Sequence, residues 1–270
     1  MKGEALKHPS VQRIRRVATA LGELAGEVVF IGGAIAPLLQ EDPPFAEARP
    51  TRDVDAVTAS TSYAEVGALH AALRGRGFSQ RPGEGAHLHR WWSSDGDAFD
   101  LVPCGEHAGG SGQEWDRLAL AGSLTVDLGS GVVVRIASAP AFLALKWAAF
   151  RDRGIRDPGG SHDLEDILAL LASRPTIVRE VAGAAPRVRD AVAEGAAAFL
   201  RHDALADLLA GHLNNAQDPV VVTAMVRGRL EAMRALSGHE PAPQTTEDAA
   251  GREQVMNELA AEAQKYGLGY

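Results

Sequence analysis

The chain has 270 residues, a formal net charge of −8, and hydrophobic and charged fractions of 46% and 23%. Those values describe an ordinary globular protein, long enough for one large domain or two small ones around a real core. The acidic balance excludes a surface that tracks nucleic acid over its whole extent, while leaving room for a local basic patch.

Met1-Lys2-Gly3-Glu4 lacks the apolar core of a signal peptide. No apolar run reaches the roughly 18–20 residues that span a bilayer, so the expected location is the cytoplasm, with no membrane partner. Alanine and glycine are abundant and lysine is scarce beside arginine, a coding bias of GC-rich bacterial genomes. From Ser10 to Ala25 the apolar positions Val11, Ile14, Val17, Ala18 and Leu21 recur at helical spacing, with Arg13, Arg15 and Arg16 towards solvent. Glu27 to Ile31 reads as a short buried strand, and Gly32-Gly33 turn the chain into a brief helix, Ala34 to Leu39. A polar, proline-rich loop follows from Glu41 to Pro50. Asp53 to Val57 is the next strand. Ser60-Thr61-Ser62 cap a helix that ends at Gly75 and Gly77.

Phe78 to Val102 has the pattern of two or three antiparallel strands. His87 to Trp92 and Ala98 to Val102 are joined by the turn Ser94-Asp95-Gly96-Asp97. Gly105 to Gln113 is a glycine-rich loop, and Leu124 to Ile136 is a hairpin turning at Gly129-Ser130-Gly131. After Ser138-Ala139-Pro140 only helical periodicity remains: Phe142 to Phe150, Leu164 to Leu171 with Ser161 as its cap, Val178–Val181, Val188–Phe199, Leu205–Leu209 and Val220–Leu236. A polar linker from Gly238 leads to an amphipathic segment, Val255–Tyr266. The expected organisation is therefore an α+β domain with a mixed sheet flanked by helices (1–137), an all-helical domain (138–237), and a linker with a terminal amphipathic helix (238–270).

The stretch with chemical content is Arg49-Pro50-Thr51-Arg52-Asp53-Val54-Asp55. Two carboxylates one residue apart in a strand face the same side of a sheet. Like charges that close raise each other's pKa unless a cation lies between them, and oxygen ligands suit Mg²⁺. The Gly32-Gly33 pair offers backbone N–H groups to a phosphate, with a helix N-terminus behind them. Asp100 stands in the apolar strand Phe99-Asp100-Leu101-Val102, where an uncompensated charge is costly. Lys146 interrupts an apolar helix face, either as a snorkelling side chain or as a charge directed at a ligand.

Together these residues resemble the nucleotidyltransferase superfamily with the polymerase-beta-like fold. In that family a glycine pair follows the first strand, two carboxylates come from the next, and a third comes from a neighbouring strand. Phe142 to Gly154, with Lys146 inside it, and Ser161-His162-Asp163-Leu164-Glu165-Asp166-Ile167 are similar to the AbiEii/AbiGii toxin-like branch, which includes the MenT toxins. The resemblance covers about residues 25–175. It implies transfer of NMP from an NTP, with Asp53, Asp55 and Asp100 as ligands of a two-metal Mg²⁺ site (Mn²⁺ as the substitute). It implies nucleotide contacts from Gly32, Gly33, Thr51, Arg52 and Lys146, and catalytic roles for the three aspartates, Lys146 and Asp163. A tRNA or protein acceptor and an antitoxin partner are implied by the same branch. Transfer to a small molecule of the aminoglycoside kind, and a non-catalytic nucleotide-binding module, are the alternatives.

Several residues keep two readings. Asp163 is also placed where a helix N-terminus favours any acid. Asp166 reads as a solvated residue or the partner of an arginine. Arg151, Arg153 and Arg156 read as a solvated helix end or as acceptor contacts. His87 and His89 share a strand face without a third ligand, and Cys104, the single cysteine, reads as a small buried hydrophobe. Nineteen residues lie between Gly33 and Asp53, a longer interval than the compact family spacing.

Overall fold

The computed structural model describes residues 3–41, 46–81, 89–105 and 114–238. The expected amphipathic segment Val255–Tyr266, His87 with Leu88, and most of the glycine-rich loop lie outside the described residues. Helix α1 (Gly3–Lys7) leads into α2 (Pro9–Leu21), which starts with proline at its first turn and His8 Nδ1 accepting from the Ser10 N–H. The apolar pattern predicts a helix to Ala25, but the α-helix stops at Leu21. Gly22 takes φ +57°, outside the helical region, and the chain continues as a 3₁₀ stretch to Glu27.

Strand β1 (Val28–Ile31) is followed by a 3₁₀ turn (Gly33–Ile35) and α3 (Ala36–Leu39); β2 (Asp53–Thr58) then runs back beside it. Helix α4 (Tyr63–Gly75) opens with a capping box. The Ser62 hydroxyl accepts from the Glu65 N–H, and the Glu65 carboxylate accepts from the N–H groups of Ser62 and Thr61. Strands β3 (Arg90–Trp92) and β4 (Ala98–Pro103) form a hairpin. Helix α5 (Glu114–Ala121) was not expected from the sequence. It is two turns long, and too few periodic positions separate the glycine-rich loop from Gly122.

Strands β5 (Ser123–Asp127) and β6 (Val133–Ala137) form the expected hairpin. Helices then take over: α6 (Ala139–Ala149), a π-helical turn (Phe150–Gly154), α7 (His162–Ser173), α8 (Ile177–Ala182), α9 (Pro186–Leu200), α10 (Leu205–His212) and α11 (Pro219–Arg234). The Ser161 hydroxyl caps α7 by accepting from the Leu164 N–H.

The strand order is β3-β4-β2-β1-β6-β5. The β4/β2 and β1/β6 pairs are parallel and the other three antiparallel, so the sheet is mixed and the fold α+β, with helices following it among the described residues. One hydrophobic cluster runs from Val11 and Ile14 of α2 through Phe30, Phe99 and Phe142 to Val226 and Met233 of α11. It fixes the sheet against α6 and α7. Among the described residues no helix is long and apolar enough to cross a membrane.

Candidate active site

Asp53 and Asp55 lie two residues apart on β2 and face one side of the sheet. The register extends that face sideways. Asp55 lies opposite Asp100 on β4, Asp100 opposite Arg90 on β3, and Asp55 opposite Ile31 on β1. Arg90, Asp100 and Asp55 thus share one rung of the sheet, with Asp53 on the next. One carboxylate oxygen each from Asp53, Asp55 and Asp100 lies within 4.8 Å of the other two. Three hard oxygen donors converging from paired strands fit Mg²⁺ or Mn²⁺.

The surroundings of Asp55 oppose its ionised form. Burial pushes the Asp55 carboxyl up, and the Asp53 and Asp100 charges push it further. Lys146 and Arg90 pull it partly back, leaving a pKa of about 7. Asp55 is packed against Gly32, whose φ is +73°. A Cβ on Gly32 would stand 2.2 Å from Asp55 Oδ2. Gly32→Ala is therefore expected to cost about 1–3 kcal/mol through backbone strain and displacement of Asp55. It should also weaken the response of the melting temperature to Mn²⁺. Wild-type melting with and without Mn²⁺ would show that the close approach is not a constraint.

Arg90 was not singled out in the sequence. Its Nε and one terminal nitrogen donate to the two oxygens of Asp100 at 2.7 and 2.6 Å, and that terminal nitrogen also reaches Asp53 at 3.0 Å. The turn at Ser94–Asp97 carried the signal, since a hairpin closing there sets residue 90 opposite residue 100.

Helix α6 supplies Lys146, which is only 6% exposed. Its Nζ donates to Asp163 Oδ1 at 3.0 Å and lies 2.6 Å from Asp166 Oδ2, both on α7. Arg153, from the π-helical turn, forks onto both oxygens of Asp163 at 2.8 and 3.0 Å. Burial raises the Asp163 pKa, but the Arg153 hydrogen bonds and the Lys146 charge outweigh it and hold the carboxyl below its ordinary value. Asp166 is not on a solvated face: it is 2% exposed, with Lys146 as its near partner and Arg49 Nε at 3.6 Å. Arg49 Nε is itself buried and makes no hydrogen bond among the described residues.

Gly32, Gly33, Thr51, Arg52, Asp53, Asp55, Asp100, Lys146 and Asp163 all line one cleft of ≈ 1110 Å³. Within it Thr51 is buried, its N–H donating to Ser10 Oγ at 2.9 Å and its hydroxyl to the Asp53 carbonyl at 3.2 Å. These bonds brace the turn that leads into Asp53. Arg52 is exposed at the rim. Arg151 lines an adjoining cavity with Asp55, Lys146 and Arg153. The metal-ligand cluster among the described residues consists of the three aspartates, and His89 is not in it. Trp91 is fully buried, and Arg81 stacks 3.9 Å over the ring of the half-buried Trp92. Cys104 is buried as expected, and burial pushes its thiol up to about 11.

The cleft can hold a polyanion bound to a divalent ion. Carboxylates gather at the sheet, and Lys146, Arg153, Arg49 and Arg52 surround them. No protein-family model and no curated protein matches the chain. Among solved structures it is similar to an antigenic nucleotidyltransferase-like protein from Paracoccidioides brasiliensis, at 17% identity over 83% of this chain and 94% of that one, with a TM-score of 0.43. It is also similar to JHP933 from Helicobacter pylori, at 15% identity over 96% of this chain and 99% of that one, with a TM-score of 0.43.

Proposed function

We propose that the protein is a Mg²⁺-dependent nucleotidyltransferase that moves NMP from an NTP to a hydroxyl acceptor. The observation that carries this reading is the Asp53, Asp55 and Asp100 cluster on one sheet face, opening into a cleft ringed by arginine and lysine. In this reading residues 1–137 form the catalytic domain. Residues 138–237 form a helical domain that contributes Lys146 and Asp163, and 238–270 form a linker and a terminal amphipathic helix.

The acceptor oxygen bonds to the α-phosphorus and loses its proton while the bond to the β-phosphate bridge breaks, releasing pyrophosphate. Divalent ions, when bound, screen the phosphate oxygens and acidify the attacking hydroxyl. The aspartates hold those ions in place. Lys146, Arg153 and Arg49 supply fixed positive charge to the triphosphate. Asp163 orients Lys146 and Arg153 through the bonds described above. Gly32 and Gly33 allow the chain to pass close to the phosphates without side-chain obstruction.

By resemblance to the toxin-like branch, the acceptor is a tRNA or a protein, and an antitoxin partner neutralises the activity. The net charge of −8 favours a second reading, a cationic small-molecule acceptor of the aminoglycoside kind. The test is to incubate the full chain with Mg²⁺ and each α-labelled NTP, offering total RNA, lysate protein and aminoglycosides as acceptors. Transfer of label to one class identifies the acceptor. No transfer together with no binding of Mg²⁺-NTP would refute the enzyme reading.

A further inference from the structure

We propose that Arg90 is a built-in cation of the triad, so that the nucleotide-free protein takes one divalent ion and not two. The inference rests on the metal reading of Asp53, Asp55 and Asp100 and adds a positioning residue to it.

The geometry is specific. Arg90 and Asp100 face each other across the β3/β4 hairpin, and the guanidinium occupies both oxygens of Asp100 at 2.7 and 2.6 Å. A planar fork matched to a carboxylate is the strongest arrangement available to such a pair. The nitrogen at 2.6 Å also holds Asp53 Oδ2 at 3.0 Å. Asp55, opposite Asp100 on the same rung, has no ion-pair partner within 4.0 Å among the described residues.

Charge counting points the same way. With all three carboxylates ionised, as a bound cation requires, one guanidinium leaves two negative charges, which one divalent ion cancels. A second ion at Asp100 would be placed against the guanidinium, and like charges at that range repel strongly in a partly buried site. Asp100 therefore becomes a metal ligand only when Arg90 lets go of it. That release is sterically open. Arg90 belongs to a three-residue strand at the edge of the sheet, and its side chain is 28% exposed on the cleft side. The neighbouring Trp91 is fully buried and anchors the backbone, so the side chain can turn without the strand moving. An incoming triphosphate supplies the negative charge that would draw the guanidinium away.

The test counts ions rather than turnover. Mn²⁺ binding to the full nucleotide-free chain is measured by the electron-spin signal of free Mn²⁺ and by calorimetry, for wild type, Arg90→Gln and Arg90→Lys. The expected result is one ion for wild type, and two for Arg90→Gln with the second bound at least tenfold more tightly than any second ion on wild type. Arg90→Lys, which keeps the charge, stays at one. Two ions of similar affinity on wild type would overturn the proposal, as would an unchanged count in a folded Arg90→Gln. If Arg90→Gln fails to fold, the wild-type count still decides: one ion supports the proposal and two refute it. Failure of every protein to bind Mn²⁺ would instead remove the metal reading of the triad, and this inference with it.

Discussion

Asp55→Asn is expected to lower nucleotidyl transfer by about 10³-fold or more and, at the same time, to raise the stability of the metal-free protein. The first effect follows from removing the proposed central ligand of the cluster, where several kcal/mol of transition-state charge stabilisation are at stake. The second follows from the strain that the same carboxylate carries. An aspartyl group in an unfolded chain titrates near 4, whereas burial and its two acidic neighbours bring Asp55 to about 7. Between those values the native state binds more protons than the unfolded state. The contribution of this group to stability is therefore fully present below about pH 4 and is lost as pH rises through about 7. The loss is at most about 4 kcal/mol, and less where cleft water screens the half-buried group. Asparagine has nearly the same shape and no charge, so it removes the slope. Melting in chelator at pH 5 and pH 8 checks this, with the variant gaining on wild type mainly at pH 8. Added Mn²⁺ should then stabilise wild type and leave the variant unmoved. A variant that melts below wild type at pH 8 would show that the carboxylate is not strained.

That a single residue can be costly to the fold and still line the candidate site explains why much of that cleft was legible in the sequence. Asp100 in Phe99-Asp100-Leu101-Val102 and Lys146 in an apolar helix break local rules, and each proves to line the cleft. The alternation in Asp53-Val54-Asp55 fixes their common face without any tertiary information. What remained hidden depends on pairing and packing between elements. Arg90 gains its meaning only from strand register, which local composition does not state outright. Asp166 reads equally as a solvated residue or as the partner of an arginine, because its position one turn beyond Asp163 says nothing about what α7 packs against; the structure pairs it with Lys146 and Arg49. In the fold, α6 and α11 both lie against α7 and bury it. The halt of α2 at Leu21 was legible in principle, because Gly22 is the first residue there that adopts positive φ without strain. The apolar pattern carried the expected helix past it.

Lys146→Met should be the most destabilising change in the cleft, and its rescue separates stability from chemistry. Lys146 is 6% exposed and stands between Asp163 and Asp166, which are 4% and 2% exposed. Removing one partner of a buried charge network leaves the other uncompensated, which costs about 3–5 kcal/mol. Asp163 retains the Arg153 fork at 2.8 and 3.0 Å, so the loss falls mainly on Asp166, whose remaining partner is Arg49 at 3.6 Å. Adding Asp166→Asn to Lys146→Met removes that orphaned charge and should restore most of the unfolding free energy measured in urea. Transfer activity should not return, because the cation proposed to meet the triphosphate is still missing. Asp166→Asn alone should keep measurable activity with a raised KM, since Lys146 would then be held by Asp163 alone. If the double variant recovers activity along with stability, Lys146 acts only as the counter-ion of α7 and the positive charge on the phosphates comes from Arg153 and Arg49. If neither stability nor activity recovers, the coupling between Lys146 and Asp166 is not what holds α6 and α7 at the site, and the cost of Lys146→Met lies in the packing of its aliphatic stem.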